Sequence, residues 1–274
     1  MEINKSNVSE IVRKCGLNPN KNLGQNFLSE PDVCKRITSL ISPKQEEKVL
    51  EIGPGLGSLT HYMSSYDLTA VDIDDRMIDF LKVLYQDNSN IKFVRQDILK
   101  HDVSQYDYII GNLPYYITTE VITNLILKAN KAKKMVFMVQ KEAFTRFSAK
   151  VNQDGYSPIA ILISYLGIIK KEFLVGQSNF YPNPHVDSLV FSIEIDLNNR
   201  TSRNLGAYKL AKQLFLNKRK TIQNNLTNLI KSKEAAITCL NNLNIEPNTR
   251  PEQIEAHKYL EIYDYLVKEG KIKE

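Results

Sequence analysis

The sequence predicts an α/β fold: a doubly wound parallel sheet over residues 1–197, then a small all-helical domain over 203–274. Three observations carry that expectation. Between residues 48 and 139, short apolar runs alternate with amphipathic stretches at the spacing of strand–helix–strand units. Two of those runs end in turn-rich phrases, Glu51-Ile52-Gly53-Pro54-Gly55-Leu56-Gly57 and Asn112-Leu113-Pro114-Tyr115. Beyond the polar run 196–202, read as a linker, only helical patterns follow. Ligands of open α/β sheets lie outside the carboxyl ends of the strands, so the two phrases predict one site with two halves.

Taken in order, residues 7–15 read as a short helix with Val8, Ile11 and Val12 on one face. Asn22–Leu28 mixes amides with large apolar residues in a loop. Ser29-Glu30-Pro31-Asp32 predicts a helix start, with Ser29 as the capping hydroxyl and Pro31 in the first turn. Val33, Ile37, Leu40 and Ile41 continue it at helical spacing. Strands are expected at 48–52, 68–71, 91–94, 107–110 and 135–139. Helices are expected near 58–63, after Asp74, and from Thr118-Thr119-Glu120 to Leu127. Ile159–Leu166 is helix or strand, since periodicity does not separate the two in so short an apolar run. Glu172–Val175 and Ser188–Ile195 read as two strands joined by Phe180-Tyr181-Pro182-Asn183-Pro184, closing one sheet edge. The remainder predicts helices at 205–216, 218–231, 233–242 and 252–268.

The 274 residues are long enough for one large domain and a small one. The net charge of +5 is unevenly distributed: residues 200–274 hold 14 Lys+Arg against 8 Asp+Glu, a net of +6, and the rest is −1. Either a polyanionic partner meets the C-terminal part, or a helical face there is simply solvated. Three cysteines with no C-x-x-C spacing and four scattered histidines argue against a disulfide framework or a metal centre. The N-terminus lacks an apolar h-region and no stretch is long enough to span a bilayer, so a cytoplasmic location is expected.

The glycine phrase lacks the G-x-G-x-x-G spacing and any G-K-[ST], so it is not a phosphate cradle. It is followed by acids at successive strand ends: Asp72, placed for ribose hydroxyls, and Asp97, placed for an adenine amine. Glu51 starts the loop and would face a cationic group. An adenosine without phosphates but with a sulfonium and an ammonium, S-adenosylmethionine, fits this set. At the second phrase, the Asn112 amide oxygen and the Leu113 carbonyl can accept both N–H bonds of an adenine exocyclic amine. That frees its lone pair for attack on a methyl group. Pro114 stiffens the turn, and Tyr115 offers a ring for an unstacked base. Phe180 is either a second stacking face or a buried edge residue. Lys218, Arg219 and Lys220 join three cations to apolar anchors, a candidate phosphate-contacting helix start.

At these residues the chain resembles the KsgA-type small-subunit (16S) ribosomal RNA adenine dimethyltransferases. The resemblance runs through Gly24–Leu28, Glu51–Gly55, Asn112–Tyr115, Gln140-Lys141-Glu142, Phe180-x-Pro182-x-Pro184-x-Val186-Asp187-Ser188, Lys218–Thr221 and Arg250-Pro251-Glu252. It implies a Rossmann-like, S-adenosylmethionine-dependent methyltransferase sheet with a helical C-terminal domain that contacts RNA. The implied reaction dimethylates N6 of two adjacent adenosines in the 3′-terminal hairpin of that RNA, on immature small subunits, and leaves S-adenosylhomocysteine. By position, Asn26, Leu28, Gly53, Asp72, Asp97 and Asn112 would line the cofactor pocket, with Glu51, Gly55, Ile73 and Ile98 beside them. Asn112, Leu113, Tyr115 and Phe180 would hold the target base. The implied partners are the small ribosomal subunit and its RNA, with no membrane, no metal and a monomeric protein. Two departures stand out. Asp72 replaces the usual Glu, and Tyr156-Ser157-Pro158-Ile159-Ala160 replaces Y-G-x-L-S, which leaves the helix start there open.

The erythromycin-resistance methyltransferases of large-subunit RNA share the cofactor loop and a similar N-[IL]-P-[YF] phrase, but the resemblance at 218–221 and 250–252 argues against them. An assembly factor acting mainly by binding is the alternative from another class. The intact Asn112–Tyr115 phrase counts against it. DNA adenine methyltransferases typically carry a D-P-P-Y-like phrase, and a dinucleotide oxidoreductase fails on glycine spacing.

Overall fold

Residues 1–144 with 170–195 form one unit, and residues 145–169 with 196–274 form another. The structure is a computed structural model and describes the chain apart from residues 18, 20–24, 114–116 and 274. In chain order, α1 (Val8–Lys14) is followed by β1 (Phe27–Leu28), α2 (Pro31–Thr38), β2 (Lys48–Ile52), β3 (Asp67–Asp72) and α3 (Asp75–Leu84). Then come β4 (Ile91–Arg95), β5 (Tyr108–Asn112), α4 (Thr118–Lys128) and β6 (Lys134–Gln140). A one-turn helix α5 (Thr145–Ser148) and α6 (Pro158–Leu166) precede β7 (Gly167–Val175), β8 (Phe180–Tyr181) and β9 (Ser188–Ile195). The chain ends in α7 (Ser202–Phe215), α8 (Ile222–Ile230), α9 (Lys233–Asn242) and α10 (Ala256–Lys268).

The first unit is built on a seven-stranded sheet of order β4-β3-β2-β5-β6-β9-β7. Strands β2 to β6 pair in parallel, and β9 runs antiparallel to β6. Central strands read as unbroken apolar runs because helices cover both faces of a parallel sheet. Val49, Leu50, Ile109, Ile110, Val136 and Phe137 are buried there. The chain winds outward through β3 and β4 on one side of β2 and through β5 and β6 on the other, so the switch of direction falls between β2 and β5. Those strands pair closely: a Cβ on Gly111 would lie 2.6 Å from the Ile52 carbonyl oxygen. The 180–188 segment lies at the β9-β7 side, as expected, and β8 also pairs antiparallel with β1, Leu28 opposite Phe180.

Several local expectations are corrected. Ser29 does not cap α2; Glu30 holds that position, and the Ser29 hydroxyl donates to the Asn179 carbonyl at 3.2 Å, fastening β1 to the 177–181 segment. The expected helix at 58–63 is only a 3₁₀ turn, Thr60–Met63, and beside it the Ser58 and Thr60 hydroxyls donate to the Leu28 carbonyl and the Glu51 carboxylate. Thr118 begins α4 without a side-chain cap from Ile117 before it.

In the second unit, Ile159–Leu166 is helical, with Pro158 at the first helical position, where a missing N–H is tolerated. Ser157 precedes it and donates to the Arg146 carbonyl instead of capping. A helix apolar on nearly all sides must be buried. α6 packs against α7 and α10, with the Tyr165 hydroxyl donating to the Ala256 carbonyl at 2.5 Å. The domain boundary expected at 197 therefore does not divide the units as drawn, since 145–169 belongs with the C-terminal helices. The polar run at 196–202 is capping chemistry, not a slack linker. Asp196 accepts from the Asn198 N–H, and Thr201 caps α7 through the Asn204 N–H. The helix expected from 218 begins at Ile222; Lys218, Arg219 and Lys220 form an exposed turn before it, and Thr221 is its cap.

Gly111→Ala is expected to force β2 and β5 apart, because the clash is with backbone, and to destabilise by about 1–3 kcal/mol. A lower urea midpoint at unchanged slope would show it; a wild-type midpoint would refute it.

Candidate active site

The site is assembled from four strand ends and one crossing segment. Register places Ile52 beside both Val71 and Gly111, so the residues that follow, Gly53, Asp72 and Asn112, leave the sheet at one level. They open a cleft of about 1150 Å³, mouth included. Every expected cofactor residue lines it: Asn26, Leu28, Glu51, Gly53, Gly55, Asp72, Ile73, Asp97, Ile98 and Asn112. So does Leu113.

The wall formed by 25–28 is fixed at several points. The Ser58 hydroxyl donates to the Leu28 carbonyl at 2.5 Å, and the Asn112 Nδ2 donates to the Asn26 carbonyl at 3.4 Å. Gly55 has φ +54°, and a Cβ there would sit 3.2 Å from the Phe27 ring, so the loop requires glycine both for its backbone and for contact with the wall. The donation from Nδ2 leaves Oδ1 as the acceptor end of the Asn112 amide. Leu113 is buried and its N–H donates to the Met138 carbonyl at 3.1 Å.

Three carboxylates line the cleft and no Lys, Arg or His joins them among the described residues. Glu51 is buried and accepts from Thr60 Oγ1 at 2.6 Å. Burial, with the charge of Asp72 adding to it, pushes its carboxyl up to about 7. Burial likewise lifts Asp72 to about 6, helped by the Asp74 charge and opposed by backbone N–H groups including that of Asp74, 2.9 Å from Oδ1. Asp97 accepts from the Leu99 N–H at 3.0 Å. A phosphate-bearing cofactor would be repelled here. An adenosine carrying cationic groups fits this set of acceptors, since a cation offsets the cost of burying carboxylates there.

Phe180 is 2 % exposed, packed in the core with Leu28, Val175 and Val190, and is not among the described residues that line the cleft. Of the two readings open for it, the buried edge residue is the one observed. Tyr115 lies outside the described residues. Lys218, Arg219 and Lys220 are exposed in the second unit. Cleft residues given no role by the sequence reading include Gln25, Phe27, Ser58, Gln96, Ile117 and Val121. Gln96 stood beside Asp97 as a usable clue.

A doubly wound sheet with an acid-lined, cation-fitting crevice at its switch point defines the class of S-adenosylmethionine-dependent methyltransferases. Residues 16–268 match the family described as Ribosomal RNA adenine dimethylase. The chain belongs to that family, whose members are S-adenosylmethionine-dependent enzymes acting on adenine in ribosomal RNA. Among curated relatives, the Ribosomal RNA small subunit methyltransferase A of Malacoplasma penetrans is 36% identical over 92% of this chain and 93% of its own. The protein so described from Mycoplasma mycoides is 34% identical over 90% and 97%. Among solved structures, a dimethyladenosine transferase from Plasmodium falciparum superposes with a TM-score of 0.78 at 26% identity, over 89% of this chain and 98% of that one. The 23S rRNA methyltransferase ErmE, at 21% identity and TM-score 0.66 over 88% and 99%, shares the fold. No helix among the described residues is long and apolar enough to cross a membrane, and no group of metal-ligating side chains is found among them.

The raised carboxyls predict a pH dependence. A group whose folded pKa is raised contributes stability that is fully present below its unfolded value, 4.5 for Glu51, and is lost as pH rises through about 7. The free protein should therefore lose stability between about pH 5 and 8, while affinity for S-adenosylmethionine rises over the same range as both carboxylates ionise. Glu51→Gln should weaken binding and flatten most of that rise. Calorimetric affinity independent of pH in the wild type would sink the assignment.

Proposed function

We propose that the protein transfers two methyl groups to N6 of each of two adjacent adenosines in the 3′-terminal hairpin of small-subunit ribosomal RNA. It would do so on immature small subunits in the cytoplasm, as a monomer and without a metal. The observation that carries this reading is that Asn112, at the end of β5, and Leu113 just after it line the same cleft as Glu51, Asp72 and Asp97. The target amine and the cofactor then share one crevice. The curated relatives, named for the small subunit, support that substrate over the large-subunit alternative.

Bound S-adenosylmethionine supplies a methyl group on a positively charged sulfur. Asp72 would hold its ribose, Asp97 its adenine amine, and Glu51 would face its cationic part, with Asn26, Leu28, Gly53, Gly55, Ile73 and Ile98 closing around it. Asp72 is one methylene shorter than the Glu usual in the family, and its Oδ1 is already oriented by the Asp74 N–H. For the target base, Asn112 Oδ1 and the Leu113 carbonyl accept the two N–H bonds of the exocyclic amine. The two acceptors fix its orientation and pull the nitrogen towards tetrahedral geometry, which frees its lone pair from the ring. No strong base is required, since the nitrogen becomes acidic only as it is alkylated. Tyr115 would stack on the extruded base. Phe180 has no stacking part in this scheme. In the second unit, Lys218, Arg219 and Lys220 would contact RNA phosphates just before the start of α8.

The test is label transfer from S-adenosylmethionine to small subunits lacking the modification. Wild type should place label on two adjacent adenosines of the small-subunit RNA. With saturating cofactor, Asn112→Ala should slow a single turnover by about 10²–10³-fold, the usual cost of removing one oriented polar group from a reacting centre. Label on large-subunit RNA, or tight subunit binding with no label, would overturn the reading.

Replacing Lys218, Arg219 and Lys220 together by Gln should lower the log–log salt slope of subunit binding by about 2–3. An unchanged slope would move the RNA contact elsewhere.

A further inference from the structure

Asp74 is buried at the start of α3, beyond the strand-end acids, and it touches both sides of the cleft. Its backbone N–H donates to Asp72 Oδ1 at 2.9 Å, and its Oδ2 accepts from Gln25 Nε2 at 2.9 Å. Gln25 and Asp72 both line the cleft, and the Gln25–Asp74 bond spans 49 residues of sequence. Arg76 closes the outer side: Nε donates to Oδ1 at 3.0 Å and a terminal nitrogen to Oδ2 at 2.6 Å. Asp74 Oδ1 also accepts from the Arg76 N–H, the N-cap contact of α3.

Capping α3 and pairing with Arg76 need only a surface aspartate. They do not explain a buried carboxylate that reaches across to an amide on another segment. An arginine placed over that carboxylate keeps it charged, and a charged acceptor strengthens the Gln25 bond. The wall so held carries Asn26, whose carbonyl receives the Asn112 amide.

We propose that the Gln25–Asp74 hydrogen bond is a positioning link for the methyl-transfer site. It ties the 25–28 wall to the ribose-side carboxylate Asp72 and, through Asn26, orients the Asn112 amide. The link rests on the cofactor reading above. It sets cofactor affinity first and the rate second, because the wall and Asp72 both line the cofactor cleft while Asn112 is reached only through one longer bond.

The test is a rescue experiment read by calorimetric binding of S-adenosylmethionine and by backbone hydrogen exchange in the free protein. Gln25→Glu sets two carboxylates against each other. It should weaken binding about tenfold, within the coupling range of residues in contact, and speed exchange over residues 26–29. The double variant Gln25→Glu with Asp74→Asn lets an Asn amide donate to the new carboxylate, while its Oδ1 keeps the N-cap and the Arg76 Nε contact and the Arg76 contact to Oδ2 is lost. It should recover most of both losses although the melting temperature of the free protein is not restored. Absence of rescue, or a loss of binding that tracks a fall in melting temperature, would overturn the link. A wild type that binds no cofactor would overturn the cofactor reading and the proposal built on it, while the exchange data would still show whether the bond holds the wall.

Discussion

Everything at the site depends on the close parallel pairing of β2 with β5. The chain winds away from β2 in both directions, so the loops after these two neighbours diverge and leave a crevice at the one point where the winding reverses. Pairing Ile52 with Gly111 sets the depth of that crevice. With no side chain on Gly111, the strands approach until Gly53 and the Asn112 carbonyl nearly meet; a Cβ on Gly53 would lie 3.5 Å from that oxygen. The two halves of the cleft, at Gly53 and at Asn112, are thus adjacent because of a backbone contact, before any side chain is considered.

The electrostatics follow from that geometry. Three successive strand ends deliver Glu51, Asp72 and Asp97 to one crevice, and no basic side chain is placed among them in the described residues. Burying Glu51 and Asp72 without a cation costs free energy, which the raised carboxyl pKa values register. The apolar sheet beneath offsets that cost, and a positively charged ligand would recover it on binding. A fold that tolerates such locally unfavourable burial at one site is behaving as functional sites generally do.

Much of this was legible in the sequence, for identifiable reasons. Strand ends were readable because apolar runs stop at glycine or acid, and the acids at 51, 72 and 97 fall in the cleft as their positions implied. What was not legible depended on contacts between distant segments. Ser29 has the chemistry of a cap, but a carbonyl near Phe180 claims its hydroxyl. The polar run at 196–202 has the composition of a linker, but its Asp and Thr cap the elements that follow them. Ile159–Leu166 showed an apolar run without a partner, and only the helices of the second unit decide where it is buried. Asp74 looked like one more acid at a strand end, because nothing in local sequence announces a bond to Gln25.

The 180–188 phrase gains its meaning from where β8 lies. By pairing with β1, it brings Phe180 opposite Leu28 and Tyr181 opposite Phe27, so its aromatic residues support the cleft wall from behind. Phe27 is also packed with Leu56 of the glycine loop, Met77 of α3, and Val8 and Val12 of α1. The wall is therefore held by apolar packing from the N-terminal helix and β8, and by polar bonds from Ser58, Asn112 and Asp74. Packing alone sets how far the wall can retreat but leaves its rotation loose, since apolar contacts are not directional. Hydrogen bonds supply direction. A wall made of residues 25–28, too short to have a core of its own, needs both to present Asn26 and Leu28 at fixed positions. The 180–181 end of that phrase thus braces the wall directly, opposite Leu28 and Phe27.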